Sequence, residues 1–161
     1  IEHEPQIIIA DEPTSALDAS IRLQILDLLK DISVRSGAAL IIVSHDLKAV
    51  RSYCERVAVM YAGRIVELGN SSEVFGAPAH PYTAALMQAI PGEEGAGGLI
   101  RGIRGNPPLL TRRSETCAFA ERCDHAIAEC WQLRPESTTR DKRYVVCHLA
   151  GRGVSARAVR R

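Results

Sequence analysis

Two adjacent carboxylates follow an apolar run near the start of the chain. In IIIADEPTSALD, residues 7–18, Asp11 and Glu12 come directly after a stretch that is typical of a buried strand. Burying a charge is costly unless a partner compensates it. The pair therefore either begins a turn and caps the next helix or serves to hold a cation. In the second interpretation, Asp11 would hold Mg²⁺, and Glu12 would be the general base for the water that attacks a γ-phosphate.

A histidine occupies the corresponding place after a second apolar run. AALIIVSHD, residues 38–46, puts Ser44 and His45 directly behind a predicted strand. Ligands of open α/β sheets bind beyond the carboxyl ends of the strands. We therefore expect His45 to converge with Asp11 and to contact the γ-phosphate or orient the water. Alone, such a histidine would more often be an ordinary turn residue.

Four cysteines near the end of the chain form a second candidate site. They are separated by five, six and sixteen residues: Cys117, Cys123, Cys130 and Cys147. Four thiolates can bind a tetrahedral Zn²⁺ or the corners of a [4Fe–4S] cluster. Structural zinc usually takes closer cysteine pairs, so the wide gaps favour the cluster.

Other interpretations of the cysteines stay open. They may be free and structural, they may form disulfides, or three of them may bind Zn²⁺ together with His125 or His148. Arg122, beside the second cysteine, would either stabilise an anionic cluster or be solvated. Cys54 lies on the apolar side of a predicted helix, which indicates core packing rather than a fifth ligand.

Alternating strands and helices must position the acid pair and the histidine. The predicted elements are a strand at 6–10, a helix at 19–34 capped by Asp18 and ended by Gly37, a strand at Ala39–Val43, a helix at 47–55 and two strands turning at Ala62 and Gly63. The helix at 19–34 has one apolar face: Ile21, Ile25, Leu28, Leu29 and Ile32. This order predicts an α/β fold, a parallel sheet covered by helices.

The chain changes in composition after Gly69. A helical turn is predicted at 72–75 and a short helix at 82–90, followed by a Gly/Pro-rich linker at 91–108, an irregular cysteine segment at 117–148 and a basic tail. Of the 161 residues 46% are hydrophobic and 4% aromatic, with a formal net charge of +1, which disfavours nucleic-acid binding. No apolar run is long enough to span a bilayer. The chain begins at Ile1, directly before a strand, which predicts a piece of a longer protein.

The order of the first motifs resembles that of ABC-type ATPases. IIIADEPTSALD and IIVSHD are similar to the Walker B segment, D-loop and switch histidine of that family, in which two subunits enclose two ATP molecules. The resemblance implies a partial P-loop NTPase-type sheet and catalytic roles for Glu12 and His45. It also implies that Asp11, Ser15 and Asp18 lie at the nucleotide. Ser15 and Asp18 would belong to a loop that reaches the nucleotide site of the partner subunit. A phosphate-binding G-x-x-x-x-G-K-[ST] loop is absent, since GEEGAG lacks the lysine, and so is an LSGGQ-type signature. The chain alone is therefore expected to be inactive.

The second half resembles the ATPase subunits of oligopeptide/dipeptide importers. HPYTAALMQAIP at 80–91, LIRGIRGNPP and the cysteine segment carry this resemblance, although Thr116 and Asp124 stand where the family usually has Gly and Pro. It implies an ATPase core at 1–75 and an extension at 76–161. It also implies ATP and Mg²⁺ as ligands, an iron–sulfur cluster in some members, and a cytoplasmic place on the inner face of the membrane.

The implied partners are a second ATPase subunit, permease subunits and, indirectly, a solute-binding protein. Import and cargo follow from the resemblance alone. We expect HPYT to enter a helix, with Pro81 at its first position and with no chemistry at His80 or Tyr82. Two other functions are considered: a non-catalytic metal-binding interaction module, and a DNA-associated ABC ATPase, which the HPYT region and the near-neutral charge disfavour.

Overall fold

A computed structural model describes residues 5–90, 102–108 and 114–150 of the chain. It divides into two compact units, Ile1–Cys54 and Glu55–Arg161. This division, after Cys54, differs from the boundary predicted after residue 75. The predicted boundary separates an ATPase core from a family-specific extension and does not describe compact units, so it stays a prediction. Most of the predicted linker and the whole basic tail lie outside the described residues.

The first unit is a βαβα arrangement around two parallel strands. It consists of β1 (Ile7–Asp11), α1 (Ala19–Ser36), β2 (Ala39–Val43) and α2 (Leu47–Tyr53). The strands pair in register from Ile7 opposite Ala39 to Asp11 opposite Val43. The predicted strands and helices are confirmed to within two residues at each end. Both strands therefore end at the same edge of the sheet.

Helix α1 begins and ends where the sequence predicts. Asp18 is at the N-cap in an extended conformation, but its side chain makes no capping hydrogen bond, contrary to its predicted role. Gly37 ends the helix with φ of 67°, and its N–H donates to the carbonyl of Val34. A left-handed residue after the last turn favours glycine because a Cβ would be strained there.

The predicted apolar face of α1 is only partly buried. Ile21 and Leu28 are 44% and 52% exposed, whereas Leu26, outside the predicted face, is 2% exposed. Two neighbouring strands lie only about 4.8 Å apart. A sheet of two strands is therefore narrower than the apolar face of α1 and cannot cover all of it. Alternate residues on one face of the strands are also exposed: Ile7, Ile9, Ile41 and Val43.

The second unit is built on an antiparallel sheet. Its elements are β3 (Arg56–Tyr61), β4 (Arg64–Asn70), α3 (Ser71–Gly76), α4 (Pro81–Gln88), a 3₁₀ turn (Ala120–Arg122), α5 (Ala128–Gln132), β5 (Ser137–Arg140) and β6 (Arg143–Val146). The strand order is β3-β4-β6-β5, with every pair antiparallel. The cysteine segment thus contributes two strands and a short helix and is less irregular than predicted.

The hairpin at Ala62 and Gly63 is confirmed, but its place in the fold is not. Both turn residues have positive φ, 51° and 71°, as two-residue hairpins require. The hairpin was predicted to continue the parallel sheet of β1 and β2, and this prediction was wrong. The second neighbour of β4 is β6, from near the end of the chain.

None of the helices in the described ranges is long and apolar enough to cross a membrane.

Candidate catalytic site and candidate thiol site

Glu12 and His45 meet at the shared edge of the two parallel strands. Glu12 Oε1 accepts a hydrogen bond from the His45 backbone N–H at 3.1 Å and lies 2.9 Å from its Nδ1. The Glu12 N–H donates to the carbonyl of Val43 at 2.8 Å, which extends the β1–β2 pairing by one residue. The structure therefore brings His45 to Glu12, and the predicted convergence of His45 with Asp11 stays a prediction.

The backbone of Glu12 turns sharply out of the strand. Its φ of 46° is in the left-handed region, which is uncommon for a residue with a side chain. Asp11, one residue earlier, pairs with Val43 and is exposed. Both contacts with His45 use the same carboxylate oxygen of Glu12. A carboxylate held through one oxygen can use the other to orient a water molecule.

The loop after the acid pair folds back on Glu12. The Ser15 N–H and hydroxyl both donate to the Glu12 carbonyl, at 3.3 and 3.2 Å. Leu17 N–H donates to the carbonyl of Thr14 at 3.2 Å. Asp18 is exposed at the start of α1. Ser15 thus lies beside Glu12 and Asp18 further along the loop, and their predicted roles at a nucleotide stay predictions.

Two charged residues beside this site, Arg22 and Asp46, were not predicted to take part in it. Arg22 Nη1 bonds to Asp46 Oδ2 at 2.7 Å, and Asp46 Oδ1 accepts from the N–H groups of Lys48 and Ala49. Burial alone would raise the pKa of Asp46, but the Ala49 N–H and the Arg22 guanidinium hold it below 3.8. An acid directly before a helix is a recognisable cap signal. Nothing in the sequence pattern points to Arg22.

The four C-terminal cysteines lie near one another. The N–H of Cys117 donates to the carbonyl of Cys130 at 3.0 Å. Burial raises the pKa of Cys117 and Cys147, and raises that of Cys123 to about 11, and in each case neighbouring thiols add to the rise. Each of these three thiols therefore has other cysteines among the groups that raise its pKa.

In the described residues the cysteines are not arranged as a metal-binding site, so neither the predicted cluster nor Zn²⁺ is supported. Among residues 5–90, 102–108 and 114–150, no group of three or more His, Cys, Asp or Glu side chains is placed to hold a metal ion. The alternative of Zn²⁺ with His125 or His148, and the idea of a metal-binding module, therefore have no support. His148 Nε2 lies 3.0 Å from the Leu133 carbonyl. All five cysteines are free, and burial raises the pKa of Cys54, as expected of a packed residue.

The HPYT segment is a structural helix entry, as predicted. His80 Nδ1 accepts from the N–H of Tyr82 at 3.0 Å, and Pro81 is at the first position of α4. The imidazole is 3% exposed and lies near the ring of Phe119. An acceptor at the helix N-cap satisfies one of the free N–H groups. His80 thus begins the helix.

Arg122 also has structural contacts. Its Nε donates to the carbonyl of Arg104 at 2.8 Å, and its Nη1 donates to the Tyr61 hydroxyl at 3.3 Å. The guanidinium lies 5.9 Å from the centre of the Tyr61 ring. Arg104 in turn donates to the Cys123 carbonyl. The two arginines therefore join the segment 102–108 to the cysteine segment.

A buried carboxylate below α4 was not foreseen. Glu67 on β4 is fully buried, and its oxygens accept from the N–H groups of Ala79 and His80 at 3.0 and 2.9 Å. Arg143 on β6 forms an ion pair with it. Buried charges require such partners. A single glutamate in a strand carries no signal of this role.

The burial of His80 predicts a pH-dependent stability. Burial lowers its pKa from 6.5 to about 4, although Glu67 and a backbone hydrogen bond with Val146 act in the opposite direction. Between these values the unfolded chain binds more protons than the folded one, so the free energy of unfolding rises with pH. We expect a loss of about 3 kcal/mol as the pH falls from 6.5 to 4.

Chemical unfolding at pH 7 and pH 4.5 measures this loss. His80→Asn is the comparison, because Asn can still accept from the Tyr82 N–H but does not titrate. The difference in stability between the two pH values should be smaller in the variant. Equal differences in both proteins would contradict the assignment to His80.

Comparison with known proteins finds similar sequences. Residues 66–130 match the sequence family described as "Oligopeptide/dipeptide transporter, C-terminal region". The chain is 43% identical to the oligopeptide transport ATP-binding protein OppD of Escherichia coli over 131 residues, 81% of this chain and 39% of that protein. It is 42% identical to the dipeptide transport ATP-binding protein DppD of Bacillus subtilis over 147 residues, 91% of this chain and 44% of that protein. The chain is thus similar over most of its length to ATP-binding proteins of peptide ABC transporters, and residues 66–130 match the family of their C-terminal region.

The chain spans less than half the length of the curated relatives that it matches. Among solved structures it is similar to cbiO1 from Clostridium perfringens, part of the ABC transporter complex cbiONQ. That similarity has 41% identity and a TM-score of 0.43, and it covers 45% of this chain and 29% of the other.

Proposed function

We propose that this chain is part of the ATP-hydrolysing subunit of an ABC importer for oligopeptides, dipeptides or related small solutes. The observation that carries the proposal is the Glu12 carboxylate, held at the end of β1 by His45 from the parallel neighbour β2. The similarity to these proteins supports transport as the purpose of the hydrolysis. In this proposal the phosphate-binding loop, which these 161 residues do not contain, lies in another part of the complete subunit.

The site residues divide the work of hydrolysis. Mg²⁺, when bound with ATP, would neutralise charge on the phosphates, and Asp11 would help to hold it. Glu12 would accept a proton from the attacking water, and His45 would hold the Glu12 carboxylate in place and face the γ-phosphate. Ser15 and Asp18 would reach the nucleotide of a second ATPase subunit.

The proposed partners are that second subunit, permease subunits in the membrane and, through them, a solute-binding protein. The subunit would lie in the cytoplasm on the inner face of the membrane. Nucleotide-dependent closure and opening of the subunit pair would move the permease subunits as rigid bodies. In this proposal residues 1–75 belong to the ATPase core and 76–161 to an extension.

Peptide uptake tests the function. Cells that lack the complete gene are supplied with the natural gene or with its Glu12→Gln version, and uptake of a labelled dipeptide and of a longer peptide is followed. The natural gene should restore uptake, and the variant should not, at equal amounts of protein. Restoration by both genes would refute the catalytic role of Glu12, and restoration by neither would refute peptide import.

We also propose that Cys117, Cys123, Cys130 and Cys147 can bind a [4Fe–4S] cluster. Four thiols supply the donor number that such a cluster needs, and the Cys117 N–H donates to the Cys130 carbonyl at 3.0 Å. A bound cluster would act as a structural or redox-sensitive group, and the transport energy would come from ATP.

Iron and acid-labile sulfide in anaerobically purified protein test the cluster. We expect about four of each per chain, lost in Cys117→Ser and retained in Cys54→Ser, the matched control outside the group. Stoichiometric zinc without sulfide would contradict the proposal. Equal iron content in both variants would contradict the assignment of the ligands.

A further inference from the structure

Arg22 joins the loop at 15–18 to the segment that carries His45. Its Nη1 bonds to Asp46 Oδ2 at 2.7 Å, and its Nη2 donates to the carbonyl of Leu17 at 3.3 Å. The partners are 24 and five residues away in the chain. The side chains of Arg22 and Asp46 are 34% and 23% exposed, so the pair is shielded more than a surface ion pair.

Asp46 is itself held from three further directions. Its Oδ1 accepts from the first N–H groups of α2, those of Lys48 and Ala49, both at 3.1 Å. Its own N–H donates to the Ser44 hydroxyl at 3.1 Å. His45 lies between these two residues, and its N–H donates to Glu12. Hydrogen bonds of the two neighbouring residues, Ser44 and Asp46, therefore fix the backbone position of His45.

We propose that Arg22 is a positioning residue that fixes the loop at 15–18 relative to the Glu12–His45 pair. This inference rests on the proposed function, in which the pair hydrolyses ATP and the loop reaches the second subunit. A guanidinium is planar and donates from two terminal nitrogens in fixed directions. One side chain can thus bind the Asp46 carboxylate and the Leu17 carbonyl at once, and the two segments keep one relative placement.

Lysine offers a sharp comparison. It would keep a positive charge for Asp46, but a single ammonium on a flexible stem cannot reproduce the two directed contacts. A purely structural ion pair would therefore survive in Arg22→Lys. A positioning role would not, because the loop would lose its connection to the segment of His45.

The experiment uses the complete subunit in its natural assembly and measures ATP hydrolysis against ATP concentration, together with the midpoint of thermal unfolding. We expect Arg22→Lys and Arg22→Gln each to lower kcat by about tenfold with KM changed less than about twofold, since small misplacements of catalytic groups are costly. Asp46→Asn, which can still cap α2, should have a similar effect. The double variant Arg22→Gln with Asp46→Asn should be no slower than either single variant.

Arg35→Gln is the matched control. Arg35 also lies on α1 and pairs with a carboxylate, that of Asp31, but it is exposed and remote from the site. Its kcat should equal that of the natural protein. A normal kcat in Arg22→Lys, or an equal loss in Arg35→Gln, would overturn the inference. So would a loss of kcat in Arg22→Lys that is matched by a lower unfolding midpoint.

The two proposals fail separately. If the natural assembly hydrolyses ATP and Glu12→Gln does not, while Arg22→Lys keeps full rate, only the positioning role is wrong. If Glu12→Gln keeps the full rate, the proposed function fails, and the inference fails with it.

Discussion

Replacing Glu12 with Gln in the complete ATP-binding subunit is expected to lower ATP hydrolysis by about 1,000-fold, because a general base of this kind contributes about 10²–10⁴-fold. The amide can still accept the hydrogen bond from the His45 N–H through its oxygen, so the backbone around the site should keep its shape. It cannot accept a proton from water. ATP binding should therefore be retained while turnover is nearly abolished.

Single-turnover hydrolysis and equilibrium ATP binding on the same preparation separate these two effects. Glu55→Gln, a matched change of an exposed glutamate, serves as the control and should hydrolyse ATP at the natural rate. Weakened binding of ATP with an unchanged single-turnover rate would assign Glu12 to nucleotide binding rather than to chemistry.

The second large effect concerns stability. We expect Glu67→Gln to lower the free energy of unfolding by about 3 kcal/mol, because it removes the charge of a fully buried side chain and leaves the half-buried Arg143 guanidinium without its carboxylate. The new amide also presents its NH2 group to one of two donors, the N–H of Ala79 or that of His80, because these two N–H groups bond to different oxygens of Glu67. The change is nearly isosteric, so the loss would come from charge and hydrogen bonding rather than from a cavity.

Urea unfolding of the natural and variant proteins measures the loss. Glu73→Gln on the exposed side of α3 makes the same chemical change without burial and should alter stability by less than about 0.5 kcal/mol. A comparable loss of unfolding free energy in both variants would show that the buried position of Glu67 does not increase its contribution to stability.

The closeness of the first strand end to His45 could be predicted from the sequence because it follows from one general rule. Parallel neighbours end at the same edge of a sheet, so Glu12 after β1 and His45 after β2 had to lie close together. The contribution of Arg22 could not be predicted. Its contact with Asp46 depends on how the start of α1 approaches α2, and side-chain spacing along a helix does not determine that approach.

The hairpin of β3 and β4 could be predicted from the sequence, but the sheet that contains it could not. The Ala62–Gly63 turn is a local signal, and the hairpin formed as expected. The sheet to which the hairpin belongs is decided by β6, which pairs Val145 with Glu67 from far along the chain. The exposure of Ile21 was also unpredictable, because periodicity marks an apolar face without giving the width of the surface that covers it.

The Glu67–Arg143 ion pair has a consequence for the order of folding. The two residues are 76 positions apart, whereas the hairpin of β3 and β4 closes through a two-residue turn. Local pairings form sooner than distant ones, since a long segment must first be brought into a loop. The hairpin would thus form early with its carboxylate still hydrated, and arrival of β6 would dehydrate and neutralise it in one late step. A chain shortened before residue 143 would retain the hairpin with the Glu67 carboxylate held only by the N–H groups of Ala79 and His80.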